Sequence, residues 1–255
     1  MEIGMLTSRQ NKKIKHLAAL KQAKNRKKFQ EFLVEGPHLL GMARASSYQI
    51  LGIYATSEAF QPAYQAYPHE LLSEELADYL SDTETTQGVF THVKAPSNGL
   101  NLTLKEKQAI VLIDSVQDPG NLGTIIRTCD AFNFRQIILG PGTVDPFNEK
   151  VLRSAQGSHF NVQLLEENLN EAIRDLQQVG YHVVATALDE KATPLEHFAA
   201  HQHKPLAVIF GNEGQGVRPD LIEMANESLY ITMSGRQESL NVAIAAAITL
   251  YELKD

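Results

Sequence analysis

The sequence predicts an α/β protein in two parts, a small N-terminal one and a larger C-terminal one carrying a mostly parallel sheet. Three observations lead there. From residue 110 onward, short apolar runs alternate with stretches of helical periodicity, the rhythm of strand–helix–strand units. Those runs are apolar at successive positions, as in strands covered on both faces. Between the halves, Ala95-Pro96-Ser97-Asn98-Gly99 is turn chemistry, which divides the chain into residues 1–98 and 99–255.

The elements follow in order. Residues 7–24 read as one helix, with Ile14, Leu17 and Leu20 on one side and lysines around the rest. Residues 31–36 read as a strand stopped by Gly36-Pro37, residues 38–45 as a helix, and residues 49–55 and 89–93 as strands. A short polar helix or turn near 104–107 opens the second part. Its strands are expected at 110–113, 136–139, 162–164, 183–187, 206–210 and 229–233. Its helices are expected at 123–131, near 149–155, at 169–179, and from Ser239 toward the end. The last helix is apolar nearly all round and rich in alanine, so it is expected in the core or between subunits.

Composition narrows the function. With 43% hydrophobic and 21% charged residues the chain reads as soluble and globular. No apolar run approaches the roughly 18 residues of a membrane helix, and residues 1–6 lack the apolar core of a signal peptide. The single cysteine, Cys129, excludes an internal disulfide and a cysteine-based zinc cluster. The chain is therefore expected in the cytoplasm. A net charge of −7 speaks against a nucleic-acid partner, but the distribution speaks for one. Between Arg9 and Lys28 stand nine basic residues and no acidic one, and local density makes the field that phosphates feel. Arg9, Lys12, Lys13, Lys15, Lys27 and Lys28 are candidate RNA contacts; a solvated helix face is the plainer alternative.

Three stretches of the second part carry chemistry. In the first, residues 114–128, a buried strand ends at Asp114, the loop turns at Pro119-Gly120, and a helix begins near Asn121. Arg127 is expected about one and a half turns in, close enough to free N–H groups to favour an anion. A plain cap and a surface arginine would read the same. The second is Gly211-Asn212-Glu213-Gly214-Gln215-Gly216, leaving a strand's carboxyl end. It is not a P-loop, since Gly-Lys-Ser/Thr is missing. Its Gly-x-x-Gly-x-Gly spacing is not the dinucleotide fingerprint, and residues 228–237 offer no ribose-binding acid. Glu213 would repel a pyrophosphate, so the loop suits a cofactor without phosphates or a close backbone approach. The third is Ser239-Leu240-Asn241, with Ser239 as the candidate N-cap and Asn241 in the first turn. His201-x-His203 is a weak metal signal, so no metal site is expected. His159 and Arg153 are candidates for a substrate groove.

In this order the three blocks resemble the signature motifs of the SpoU/TrmH family of RNA 2′-O-ribose methyltransferases, in the SPOUT superfamily. Residues 118–127, residues 208–216, and Ile231-Thr232-Met233 with Ser239-Leu240-Asn241-Val242-Ala243 carry the likeness. Thr232 stands where many members have proline. More loosely, residues 7–15 and Phe32-Leu33-Val34-Glu35-Gly36 resemble the family's ribosomal-protein-like substrate-binding domain. The resemblance implies a deep trefoil knot in the C-terminal part, S-adenosylmethionine bound there, and a homodimer through that domain. It implies cofactor contacts from Gly211, Ile231, Met233 and Leu240. The catalytic and RNA-facing set would be Asn121, Arg127, Glu213, Ser239 and Asn241.

The implied reaction is attack by a ribose 2′-oxygen on the sulfonium methyl. The family proposal makes Arg127 the general base, but a guanidinium pKa above about 12 resists that role. Either Arg127 is driven toward neutrality, or as a cation it holds a phosphate and stabilises the developing alkoxide. Ribosomal RNA is the favoured substrate, with tRNA the alternative. The rival readings are an RNA-binding protein of the same fold without catalysis, and a nucleotide-dependent dehydrogenase.

Overall fold

The computed structural model describes residues 4–96, 108–188, 191–198, 205–237 and 239–254. The notable turn at residues 97–99, the segment 104–107 and His201-x-His203 lie outside them. The chain gathers into two compact units: Met1–Ser97 with Phe147–Phe160, and Asn98–Pro146 with Asn161–Asp255.

In the first unit the helix expected over 7–24 is two helices, α1 (Lys12–Ala19) and α2 (Ala23–Phe29). No glycine or proline marks the break. It arises because side chains take the carbonyls at the end of α1: Asn25 Nδ2 donates to Ala19 O at 2.8 Å, and Arg26 Nη1 donates to Leu20 O and Lys21 O. A buried arginine thus caps a helix instead of adding to the basic surface. The sheet has five strands in the order β1 (Met5–Leu6), β4 (His69–Leu72), β3 (Ile50–Thr56), β5 (Val89–Lys94) and β2 (Glu31–Glu35). β5 runs antiparallel to both β2 and β3, while β4 runs parallel to β3 and β1. Helix α3 (Pro37–Ala45) starts with proline in its first turn after Gly36. Helix α4 (Glu74–Leu80) is capped by Ser73. α1, α4 and β5 share a core of Ile14, Leu17, Leu20, Leu76, Leu80 and Phe90. A second core of Phe32, Val34, Leu39 and Val93 is completed by Leu152, from α6 (Glu149–Ala155), and by Phe160.

The second unit holds a seven-stranded sheet in the order β10 (Thr193–Pro194), β12 (Glu227–Tyr230), β9 (His182–Thr186), β11 (Leu206–Phe210), β6 (Ile110–Ile113), β7 (Gln136–Leu139) and β8 (Gln163–Glu166). Every pairing is parallel. The chain runs outward from β6 through β7 to β8. It then crosses to β9, and β11 enters between β9 and β6. Order therefore reverses beside β6, and the crevice outside strand carboxyl ends at such a reversal is where α/β sheets bind ligands. Helices α5 (Pro119–Ala131), α7 (Leu169–Gln178), α8 (Pro219–Met224) and α9 (Val242–Leu253) accompany the sheet. Ile110, Leu112, Ile138, Ile173, Leu176, Val183 and Ile209 are fully buried in its core.

Three expectations change here, and the place of the last helix becomes clearer. β12 ends at Tyr230, so Ile231–Met233 belongs to the loop beyond it. α5 begins at Pro119, so Arg127 sits more than two turns in, beyond the reach of the free N–H groups. The N-cap of α9 is Asn241, not Ser239, and its side chain accepts from Ala243 N and Ile244 N. α9 packs against α5 but buries one face only, leaving Ile244 (51%), Ile248 (37%) and Tyr251 (55%) exposed.

Candidate active site

The loops leaving β9, β11 and β12 surround a cavity of about 390 Å³, lined also by the start of α9. Gly211, Ile231, Met233 and Leu240, the four expected cofactor residues, all line it, together with Ser239 and Glu213. Sequence reading missed Thr186, Leu188 and Leu195 on the same wall. They carry no motif, and only the sheet order brings them there. The requirement for glycine at 211 is steric: a Cβ would fall 2.0 Å from the carbonyl carbon of Gly216. The loop closes on itself, with Asn212 and Gly216 exchanging both backbone hydrogen bonds at 2.9 Å. A volume of this size, a glycine-tight wall and apolar Leu195, Leu229 and Ile231 suit a drug-sized ligand with an apolar body.

Beside the cavity a continuous hydrogen-bond chain joins the three motif blocks. Glu213 accepts from Asp118 N at 2.9 Å, from Gln117 N at 3.2 Å and from Asn121 Nδ2 at 3.1 Å. Asn121 Oδ1 in turn accepts from Asn241 Nδ2 at 2.9 Å. Asn241 Oδ1 then caps α9 through Ala243 N. The geometry fixes each amide: Asn121 must donate to the carboxylate, so its oxygen faces Asn241, whose oxygen faces the helix. Burial works to raise the Glu213 pKa, but donation from Asp118, Asn121 and Gln117 outweighs it and holds the carboxyl below its usual range. Asn212 adds a brace that sequence reading did not assign. Its Nδ2 donates to Ser115 O at 2.8 Å and its Oδ1 accepts from Gly214 N and Gln215 N. Asparagine's habit of bonding local backbone in turns is the signal that would have found it.

Of the expected catalytic set, Asn121, Glu213 and Asn241 are brought into one network, and Ser239 reaches the cavity wall. Arg127 is not part of that network. It is exposed on α5, and among the described residues no hydrogen bond or ion pair holds its guanidinium. His159 is fully buried, whereas Arg153 pairs with Glu149 at 2.6 Å and lines two cavities of the first unit, of about 170 and 230 Å³. Of the basic residues, Lys12, Lys15, Lys27 and Lys28 are exposed on α1 and α2, with Lys28 over the Phe29 ring. Arg9 pairs with Glu75 and Lys13 with Glu70, so their charge is partly compensated.

In the first unit the imidazoles of His16 and His92 both meet Glu31 Oε2, at 2.6 and 2.8 Å, and Lys94 Nζ lies 3.7 Å from its other oxygen. Burial favours the neutral form of Glu31, but the two histidines overcome it and lower its pKa. The contacts tie α1 to β2 and β5.

The parallel sheet, the cavity at the strand carboxyl ends and the Glu213–Asn121–Asn241 chain fit the SPOUT type of α/β methyltransferase that the motifs resemble. Residues 108–251 match the SpoU rRNA Methylase family, and residues 11–91 match the MRM3-like substrate binding domain. The chain belongs to the SpoU rRNA methylase family. It is 40% identical over 254 residues to the 23S rRNA (guanosine(2553)-2'-O)-methyltransferase RlmP of Bacillus subtilis, with 98% of each chain covered. It is 38% identical over 154 residues to a tRNA (guanosine(18)-2'-O)-methyltransferase of Thermus thermophilus, covering 59% of this chain and 76% of that protein. An AdoMet-bound rRNA methyltransferase from Sinorhizobium meliloti superposes with a TM-score of 0.89 at 30% identity, over 98% of this chain and 97% of the other. The chain is accordingly an S-adenosylmethionine-dependent RNA 2′-O-ribose methyltransferase.

Proposed function

We propose that this protein methylates a ribose 2′-hydroxyl of ribosomal RNA, with 23S rRNA the first substrate to test. The observation that carries the reading is the hydrogen-bond chain from Glu213 through Asn121 to Asn241, which draws three distant blocks to the mouth of one cavity. Ribosomal RNA is favoured over tRNA by coverage: the rRNA relative matches both parts of this chain, whereas the tRNA relative matches 59% of it. Residues 1–98 are read as the RNA substrate-binding domain and residues 99–255 as the methyltransferase domain, divisions that the two family matches support.

Gly211, Ile231, Met233 and Leu240 would hold S-adenosylmethionine, which when bound supplies an electrophilic methyl group on a sulfonium. Asn121 and Asn241 are locked by their own hydrogen bonds and act as rigid posts, so positioning of the ribose costs little at the moment of reaction. Glu213, ionised and saturated with donors, is a strut and not a base. Arg127, held by no carboxylate among the described residues, keeps its charge available for the substrate's phosphate and for the oxygen as its proton leaves to water. Ser239 at the cavity wall orients the ribose. Arg9, Lys12, Lys13, Lys15, Lys27 and Lys28 would bind RNA phosphates. The deep trefoil knot implied by the family resemblance is part of this reading. So is a homodimer through the C-terminal domain, for which the bare face of Ile244, Ile248 and Tyr251 is the support. Among the described residues no helix is long and apolar enough to cross a membrane, and the site of action is read as the cytoplasm, where ribosomal RNA is found.

Ribose methylation mapped in rRNA and tRNA from cells with and without the gene tests the assignment. One lost 2′-O-methyl mark in rRNA is expected. Loss of a tRNA mark with rRNA unchanged would move the substrate to tRNA. An unaltered profile in both, with no transfer from labelled S-adenosylmethionine by the pure protein, would leave a binding protein.

A further inference from the structure

We propose that Asp114 and Arg218 form a positioning pair for methyl-donor binding, setting the shape of the 211–217 loop from outside the cavity. This rests on the cavity being the donor site. Asp114 directly follows β6 and is 2% exposed as a side chain, a charge almost withdrawn from water. Its backbone N–H donates to Phe210 O at 2.8 Å, at the point where the loop leaves β11. Its carboxylate then accepts from Arg218 N at 2.8 Å and from Arg218 Nε at 3.0 Å, at the point where the loop ends. One residue therefore holds both ends of the loop. Ser115, next along, is held at a positive φ of 60°, which aims its carbonyl at Asn212. Gln117 and Asp118 take the middle of the loop through Glu213. The strand end thus serves as a template, and the loop copies it.

Electrostatics make the pair more than a tether. A buried carboxylate needs a partner, and the guanidinium that supplies it is 47% exposed. Its remaining nitrogens lie near Asn170 Oδ1 at 3.5 Å and Asp220 Oδ2 at 3.7 Å, joining the starts of α7 and α8 to the same point. Remove the guanidinium and, among the described residues, the carboxylate keeps only the Arg218 N–H. It then draws water or shifts, and the loop wall that includes Gly211 moves with it. Neither residue lines the cavity, so neither touches the donor.

The test uses the full-length protein with Arg218→Gln, Arg218→Lys and Asp114→Asn, each assayed well below its own Tm. Binding of S-adenosylhomocysteine, KM for S-adenosylmethionine, KM for rRNA and kcat are measured. Arg218→Gln is expected to weaken donor binding about tenfold and to raise its KM equally, leaving kcat at saturating donor and KM for rRNA within about twofold. Arg218→Lys should recover about half of that loss on a logarithmic scale. Asp114→Asn tests the same point from the other side, and Arg218→Gln, at an exposed side chain, keeps the question open should Asp114→Asn fold poorly. A lower Tm with unchanged donor KM would show a merely structural pair and overturn the proposal. Failure of the unaltered protein to bind S-adenosylhomocysteine would overturn the cavity assignment and the pair together.

Discussion

Two glutamates, one in each unit, sit among very different partners. Glu213 receives two backbone N–H groups and an asparagine amide, and is held ionised below its ordinary value of 4.5. Glu149, on α6, is half-buried beside the Asp82 carboxylate, and burial first and Asp82 second push it up to about 8. Arg153 and Lys21 oppose that rise without cancelling it. Donor count, more than depth, decides which carboxyl keeps its proton. The catalytic unit arranges donors around its acid; the N-terminal unit places a second acid there. The first is a fixed charge built for geometry, and the second is a carboxyl that burial and a neighbouring acid favour in its neutral form.

The sharpest test of that contrast is at Arg127, a cation of the catalytic unit that no carboxylate pairs among the described residues. Arg127→Ala is expected to keep the fold and donor affinity while methyl transfer drops about a thousandfold or more, the scale of an electrostatic contribution to a transition state. Single-turnover rates with saturating donor measure it, and near-normal turnover would remove Arg127 from the mechanism. Next comes Glu213→Gln, which keeps size but makes the strut half donor. The backbone N–H groups of Gln117 and Asp118 then face an amide, and Asn121 loses its register. A fall in kcat of about tenfold to a hundredfold is expected, against small changes in Tm. Equal loss in the binding of donor alone would place Glu213 in the cavity wall and not in the chain to Asn241.

Legibility in the sequence follows the same division. Strands β6, β7 and β11 show plainly because burial on both faces makes every residue apolar but Gln136 at the start of β7. Asn121, Glu213 and Asn241 were legible as residues through the family resemblance, but not as a connected chain, since 92 and 120 residues separate the partners. Ser239 and Asn241 are both good cap residues, and only the path of the chain decides between them. In the first unit, the two-residue β1 is too short to show a period, and β4 and α4 went unmarked. The α1–α2 break is caused by Asn25 and Arg26 side chains, which no periodicity reports. Arg26 also shows why a count of basic residues overstates a basic surface.

That overstatement is itself testable. Replacing Lys12, Lys13, Lys27 and Lys28 by glutamine should weaken RNA binding and lower the slope of log K against log salt by fewer than four contacts' worth, because Lys13 already has Glu70. A filter-binding titration from low to high salt reads the slope. An unchanged slope would mean that α1 and α2 do not touch RNA.

The smallest effect expected belongs to Glu149, and it carries a sign. Its folded pKa is raised, so its contribution to stability is fully present below the unfolded value near 4.5 and is lost as pH rises through about 8. Glu149→Gln holds the group neutral at every pH. At pH 5 wild type and variant should melt within a degree of each other. At pH 9 the variant should melt higher by at least about 3 °C, the shift that roughly 1 kcal/mol makes in a chain of this size, since solvent screening at a part-exposed group leaves only a fraction of the full linkage free energy. Arg153 faces a charged Glu149 only above a pH of about 8, and its attraction is already part of the net rise to that value, so the pH-dependent difference between variant and wild type reads the proton. An equal shift at pH 5 and pH 9 would mean that the Asp82–Glu149 pair opens to water and keeps no proton. The two glutamates would then differ in packing alone.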